Sequence, residues 1–195
     1  MLLAGLLIAL TWTSWQKWRL RPVHPGDGEI AEREPLQSSP QSAATIRHGR
    51  WTLTPRANYD ITARVLGREP YSLDALADLI PEDLALGWGP MSDNRVLSAL
   101  DISQSARFYT WRPHGELPVP REEITDHSAN THVIPADSSV QKQLARLRVG
   151  ETVRLTGLLV DATREDGAWI HTSLTRTDSG AGACEVLLVE HVEIQ

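Results

Sequence analysis

ETVRLTGLLVDATRED, residues 151–166, carries the plainest pattern in the chain. Val153, Leu155, Gly157 and Leu159 fall on one side of a period of two. That period belongs to a β-strand with one buried face. Gly157 interrupts the apolar row, and a glycine inside a strand marks a bend or bulge. A bent strand of this kind suits a small sheet that curls on itself.

Strand patterns continue on both sides. Downstream, GAWIHTSLTRTD (167–178) and ACEVLLVEHVEI (183–194) supply two more, the first joined through a hairpin at REDG (164–167). Upstream, SSVQKQLARLRVG (138–150) reads as a helix capped by Ser138 or Ser139, with a stripe of Val140, Leu144 and Leu147 and a stop at Gly150. Before it, ANTHVIPA (129–136) is a short strand stopped by Pro135, and SARFYTWRP (105–113) is another. The first strand lies in RWTLTPRANYDITARVLGREPY (50–71), where Tyr59, Ile61, Ala63 and Val65 share a face. Between these strands, SLDALADLIPEDLALGWGP (72–90) places Leu73, Leu76, Ala77 and Ile80 at helical spacing, with Ser72 as cap and Gly87 as a helix stop. Val96, Leu97 and Leu100, behind a Ser92 cap, extend this into a helical insert over about 72–100. The expected fold is mainly β (α+β): an OB-like small antiparallel barrel with a short helical insert. The competing arrangement is an antiparallel sheet with helices on one face.

The N-terminus has a different character. MLLAGLLIALTWTSW (1–15) is apolar, Trp12, Trp15 and Trp18 cluster at its end, and Lys17, Arg19 and Arg21 follow. A membrane span needs roughly 20 mainly apolar residues, and tryptophans belong at its interface. Residues 1–21 are read as a single transmembrane helix, a membrane anchor or uncleaved signal that meets the membrane through residues 2–18. Residues 22–49, rich in Pro, Gly, Ser, Gln and charge, read as a disordered linker. The globular domain then spans 50–195. The basic flank favours a cytoplasmic domain by the positive-inside rule, whereas a short anchor with a spacer favours outward delivery. The expected location is the inner membrane, single-pass, with the domain periplasmic.

Among the 195 residues, 41% are hydrophobic and 23% charged, and the net charge is −6, which speaks against general nucleic-acid binding. Cys184 is the only cysteine, so no intramolecular disulfide and no cysteine-based zinc cluster can form. It reads as a small buried apolar residue. No phosphate-loop, nucleophile-elbow or dinucleotide spacing occurs, and no cofactor is expected. His127 and His132 stand five apart, which fits no helical metal pair, so no metal site is expected. Asn130 and His132 share a strand face with Ser128. In RFYTWRP, Arg107, Tyr109 and Trp111 share one face, a cation beside two rings that suits bases or sugars. Arg176, Asp178 and Glu185 surround a Gly-rich turn that suits an anion.

DLALGWGPMSD (83–93) puts Trp88 and Met91 in a turn, either as a plug packed on the core or as a lid over a groove; the plug is the simpler reading. Taken with HSANTHVIPA (127–136) and SLTRTDSGAGACE (173–185), it resembles an uncharacterised family of small bacterial proteins with one N-terminal membrane segment. The resemblance covers about 51–195. It implies a membrane-tethered bacterial protein and brings no activity, substrate or catalytic residue with it.

The leading functional expectation is a membrane-tethered binding or assembly module of the bacterial envelope, with an envelope protein as a possible partner. Its binding residues would be Trp88, Arg107, Tyr109, Trp111, Asn130, His132 and Arg176. The alternative is a hydrolase or nuclease using His127 or His132, with Arg107 or Arg176 on an anionic substrate and Asp178 as a further catalytic candidate.

Overall fold

A computed structural model describes residues 20–175, 180 and 182–195. Residues 1–19 of the anchor expected over 1–21, together with Arg176 and Asp178, lie outside the described residues. Among the described residues no helix is long and apolar enough to cross a membrane.

The architecture is mainly β, with one partly closed sheet. Its strands are β1 (Leu36–Ser38), β2 (Ile46–His48), β3 (Trp51–Pro70), β4 (Glu82–Gly87), β7 (Ser128–Pro135), β8 (Thr152–Arg164), β9 (Trp169–Ile170) and β10 (Glu185–Ile194). A separate hairpin holds β5 (Leu100–Ser105) and β6 (Phe108–Pro113). The helices are short: α1 (Asn94–Leu97), α2 (Arg121–Asp126) and α3 (Ser138–Leu144).

Five strands pair in a ring: β3 with β4, β4 with β7, β7 with β10, β10 with β8, and β8 back to β3. All these pairings are antiparallel except β7 with β10, which is parallel. Strand β3 makes the closure possible. It is 20 residues long, pairs with β8 over Trp51–Arg64 and with β4 over Arg64–Pro70, and its register shifts at Pro55/Ala57 and Val65/Gly67 let it bend. Its odd-numbered residues from Trp51 to Val65 are buried, the alternation that a one-sided strand requires.

Inside the ring, Tyr59, Ile61, Leu84, Leu86, Val133, Val153, Leu155, Leu159 and Leu187 form the main core. Helix α3 adds Val140 and Leu144 to it. Asp137 caps that helix, accepting from the Ser139 and Val140 amides at 2.7 and 2.9 Å. The expected cap, Ser138 or Ser139, sits one or two residues too late, inside the helix. A second cluster packs Trp51, Leu53, Leu79, Ile80, Ile134 and Leu188 on another face of the sheet. A third gathers Leu66, Met91, Val96, Leu100 and Ile124 beneath the hairpin. Trp88 and Met91 are both buried, so GWGPM is a plug.

The expected helical insert over 72–100 is corrected by the structure. Residues 72–79 form turns, and Leu73, read as part of an apolar stripe, is 98% exposed. Glu82–Gly87 is a fully buried ring strand, in which Leu84 and Leu86 point to the core and Asp83 to the other side. Gly87 therefore ends a strand and does not stop a helix. Helix is confined to a 3-10 turn at Gly89–Ser92 and to α1 at Asn94–Leu97, which is capped by Asp93 accepting from the Arg95 amide, with Ser92 one residue outside. Leu100 opens β5.

Residues 22–49, read as a disordered linker, lie along the domain as a strap. Strands β1 and β2 pair with β3. The Val23 amide donates to the Val149 carbonyl at 2.8 Å. The Ile30 and Ala31 amides donate to the Ser92 hydroxyl at 3.0 and 3.1 Å, the Gly28 amide to the Asp93 carboxylate at 3.0 Å, and the Gly89 amide to the Ala31 carbonyl at 2.7 Å. Backbone hydrogen bonds order this segment where apolar content alone would not.

Gly157 has the role its setting suggested. The β8–β10 register shifts between Val189 and His191, opposite Gly157, and a Cβ at Gly157 would fall 1.9 Å from the Leu188 carbonyl oxygen. Gly157→Ala should therefore destabilise the fold by about 3 kcal/mol. Denaturant unfolding checks this; a midpoint equal to that of the wild type would contradict so close an approach.

Candidate functional site

The site is assembled by register. Asp83 on β4 is the Cα partner of His132 on β7, and both side chains leave the ring on its outer side. His132 is in turn the partner of Val186 on β10, and Cys184 lies two residues earlier, on the same side. The hairpin β5–β6 brings the fourth participant, Arg107.

Asp83 is completely buried. Its Oδ1 lies 2.8 Å from His132 Nδ1 and accepts from an Arg107 guanidinium nitrogen at 3.1 Å, while Oδ2 accepts from Asn130 Nδ2 at 3.3 Å. The Arg107 guanidinium also donates to both oxygens of Asp74 at 2.9 Å and to the Ile80 carbonyl at 3.0 Å. It lies 3.9 Å from the centre of the Tyr71 ring, and the Arg107 amide donates to the Tyr71 hydroxyl at 2.8 Å. Asn130 also donates to the Arg107 carbonyl at 3.2 Å and to Cys184 Sγ at 3.8 Å, and accepts from Gln104 at 2.8 Å. Cys184, two residues ahead of the Val186 that pairs with His132, stands beside the ring by register and favours its charged form.

The hairpin turn is unusual in composition. Ala106 and Arg107 both have positive φ, 49° and 69°, in a two-residue loop where Asn and Gly are favoured. Such backbone costs of order 1 kcal/mol per residue and persists where surrounding contacts over-determine it. The bonds from Arg107 to Asp83, Asp74, Ile80 and Tyr71 do so here.

Beside this network is a cavity of about 350 Å³, whose wall includes Trp88, Phe108, Tyr109, Trp111, Asn130 and Cys184. Arg121 covers the Trp111 ring at 4.5 Å. Four of the residues singled out in the sequence, Trp88, Tyr109, Trp111 and Asn130, thus line one cavity, and His132 and Arg107 stand behind it in the polar network.

Arg107 does not share an open platform with the rings. It sits in the turn, and its guanidinium is committed to two carboxylates, so an anionic ligand would have to displace Asp74. His127 stands apart from His132: Nδ1 meets the Glu123 carbonyl at 2.8 Å, and Nε2 lies 3.1 Å from Glu34 of the strap. Glu34 also accepts from the Trp88 indole at 2.9 Å, which ties His127, Trp88 and the strap together.

Asp83 and Cys184 were missed as site residues. Asp83 was hidden by the helical reading of PEDLALG, although the alternation of Asp83 and Ala85 with Leu84 and Leu86 marks a strand. Cys184, read as a buried apolar residue, is half-buried and forms part of the cavity wall.

The charge on His132 follows from this packing. Burial of the ring works against its charge, yet the bonds to Asp83 and Cys184 outweigh burial and raise its pKa from 6.5 to about 9. A raised folded value gives a contribution to stability that is complete below pH 6.5, is lost as pH rises, and is gone above about 9. Unfolding measured across that window should show falling stability, and Asp83→Asn should flatten the decline. A wild-type stability that stays level from neutrality to pH 9 would contradict the ionic contact.

No protein-family model matches the chain, and neither the curated proteins nor the solved structures yield a match to it.

Proposed function

We propose that the chain is a membrane-tethered binding module of the bacterial envelope, built on an OB-type barrel, with the cavity at Trp88, Tyr109, Trp111 and Asn130 as its ligand site. The observation that carries this reading is the gathering of four aromatic side chains, Trp88, Phe108, Tyr109 and Trp111, with the Asn130 amide in a single cavity of about 350 Å³. Small-molecule sites combine such apolar and aromatic walls with a few placed polar groups.

The barrel assignment rests on the ring of five strands, on one parallel closure among antiparallel pairs, and on α3 between the third and fourth ring strands. In OB-type barrels the face of the second and third strands is the ligand-binding face. Here those strands are β4 and β7, the strands of Asp83, Asn130 and His132.

The ligand class that fits is neutral and partly apolar, such as a sugar unit of a wall glycan. Aromatic walls suit the apolar faces of a sugar ring, and Asn130 offers an amide to its hydroxyls. A polyanion fits poorly: the net charge is −6, and Arg107 is neutralised by Asp74 and Asp83. The apolar run at 1–15 and its tryptophans support an inner-membrane anchor. The strap, docked from Val23 onward, would hold the domain close to that anchor without a free spacer.

Isothermal titration of the full chain in detergent with soluble wall-glycan fragments tests the reading. Saturable binding is expected, and Trp111→Ala should weaken it about tenfold, since loss of one stacking ring costs roughly 1–3 kcal/mol. Absence of binding, or equal affinity in the variant, would overturn it. Tight binding of a single-stranded oligonucleotide in place of the glycan would also overturn it.

A further inference from the structure

Asp83, His132 and Cys184 form a chain of contacts that a binding role alone does not use. The three come from adjacent strands: β4, β7 and the residue just before β10. Asp83 takes His132 Nδ1 at 2.8 Å, which leaves Nε2 for the sulfur of Cys184, set beside it by the β7–β10 register. Asn130 Nδ2 lies 3.8 Å from the same sulfur. Cys184 itself opens on the cavity. Nucleophile, ring partner and orienting carboxylate set side by side on neighbouring strands, with room for a ligand at the nucleophile, is the arrangement of covalent catalysis.

We propose that Cys184 is a nucleophile for acyl transfer, that His132 is the proton donor and acceptor of its sulfur, and that Asp83 orients His132, with a small acyl ester as substrate in the cavity. This rests on the cavity being the ligand site, as the binding reading does. An ester-bearing sugar would satisfy both.

The step balances without a redox partner. The Cys184 thiolate attacks the ester carbonyl carbon, a C–S bond forms, and the carbonyl electron pair moves onto oxygen. Collapse breaks the C–O bond, and the departing alkoxide takes the proton from His132. A thioester and a neutral imidazole remain. Water then attacks the thioester carbon and gives its proton to His132, the C–S bond breaks, and the carboxylic acid leaves. The sulfur keeps its electron pair beside a protonated ring, and the net reaction is ester plus water to alcohol plus acid. The Asn130 amide is the donor nearest the sulfur and the first candidate to meet the carbonyl oxygen.

The charge state of His132 supports this role. Against the cost of burial, its contacts hold the ring protonated at neutral pH, so it carries the proton that the departing alkoxide needs. The charged and titratable groups around it are Asp83 from β4 and Cys184 ahead of β10. Behind Asp83 stand Arg107 from the hairpin turn and Asp74 from the 72–79 turns.

The test uses the full chain in detergent and two probes. Iodoacetamide at about pH 6 should alkylate native Cys184 at least tenfold faster than the same cysteine in the urea-unfolded chain. p-Nitrophenyl acetate should give a burst of p-nitrophenolate and an acetyl group that peptide mapping locates on Cys184. His132→Ala and Asp83→Asn should each slow alkylation at this pH. The comparison of native with unfolded wild type needs no variant to fold. Alkylation of the native chain no faster than the unfolded one, or acetylation only at other residues, would overturn the proposal. Glycan binding by calorimetry without an adduct would leave the binding module and remove the nucleophile; an adduct without glycan binding would do the reverse.

Discussion

Asp83 has no contact with water, and it stands on the side of β4 that faces away from the ring core. A carboxylate in such a place is stable only when donors surround it, and its neighbours supply three: His132, Arg107 and Asn130. These contacts join β4 to β7 and bring the hairpin β5–β6 down on both. Removing one partner of a buried ionic contact typically costs about 3–5 kcal/mol, because the other charge is left unanswered. Much of the site geometry follows from that demand. Arg107 is pulled into a turn with positive φ, Tyr109 and Trp111 follow it along β6 to the cavity, and His132 is fixed by Nδ1 with its remaining face toward Cys184.

The strap adds a second layer of constraint. Ser92 donates its hydroxyl to the Gly89 carbonyl at 2.7 Å while accepting from Ile30 and Ala31, and Arg64 donates to the Ser92 carbonyl at 3.0 Å. One small residue thereby couples the plug and the strap through its hydroxyl and β3 through its carbonyl. Glu34 extends the coupling to Trp88 and His127 at the cavity side. Gly150, with φ of 93°, admits the Val23 carbonyl so closely that a Cβ would lie 1.9 Å from it. The segment leading toward the N-terminus is therefore seated on the domain at several independent points.

The mainly β character was legible because β3 and β8 carry an alternation that a one-sided strand explains, β7 and β10 are short apolar runs, and Gly157 announced its bulge. β4 was not legible. Pro81 followed by acidic residues and closed by glycine imitates a short helix and masked the alternation of Asp83 and Ala85 with Leu84 and Leu86, which pairing with β3 and β7 fixes as a strand. The strap escaped notice because composition reports apolar burial, whereas its order comes from backbone amides meeting Ser92 and Asp93 across more than sixty residues of sequence. On the site, Trp88, Tyr109, Trp111, Asn130 and His132 were recognisable as residue types in suggestive places. Asp83 and Cys184 gain meaning only from strand register, which a single sequence does not display. Arg107, expected as a binding residue, has its guanidinium bonded to the buried Asp83 and the half-exposed Asp74.

The contact between Asp83 and His132 helps to hold the hairpin and prepares the ring for the sulfur. The most direct measurement is an NMR titration of the His132 imidazole in the folded chain, assigned by its loss in His132→Gln. The contact predicts a midpoint near 9, well above the ordinary 6.5. A midpoint at or below 6.5 would mean that burial prevails over Asp83 and Cys184, and would contradict the account.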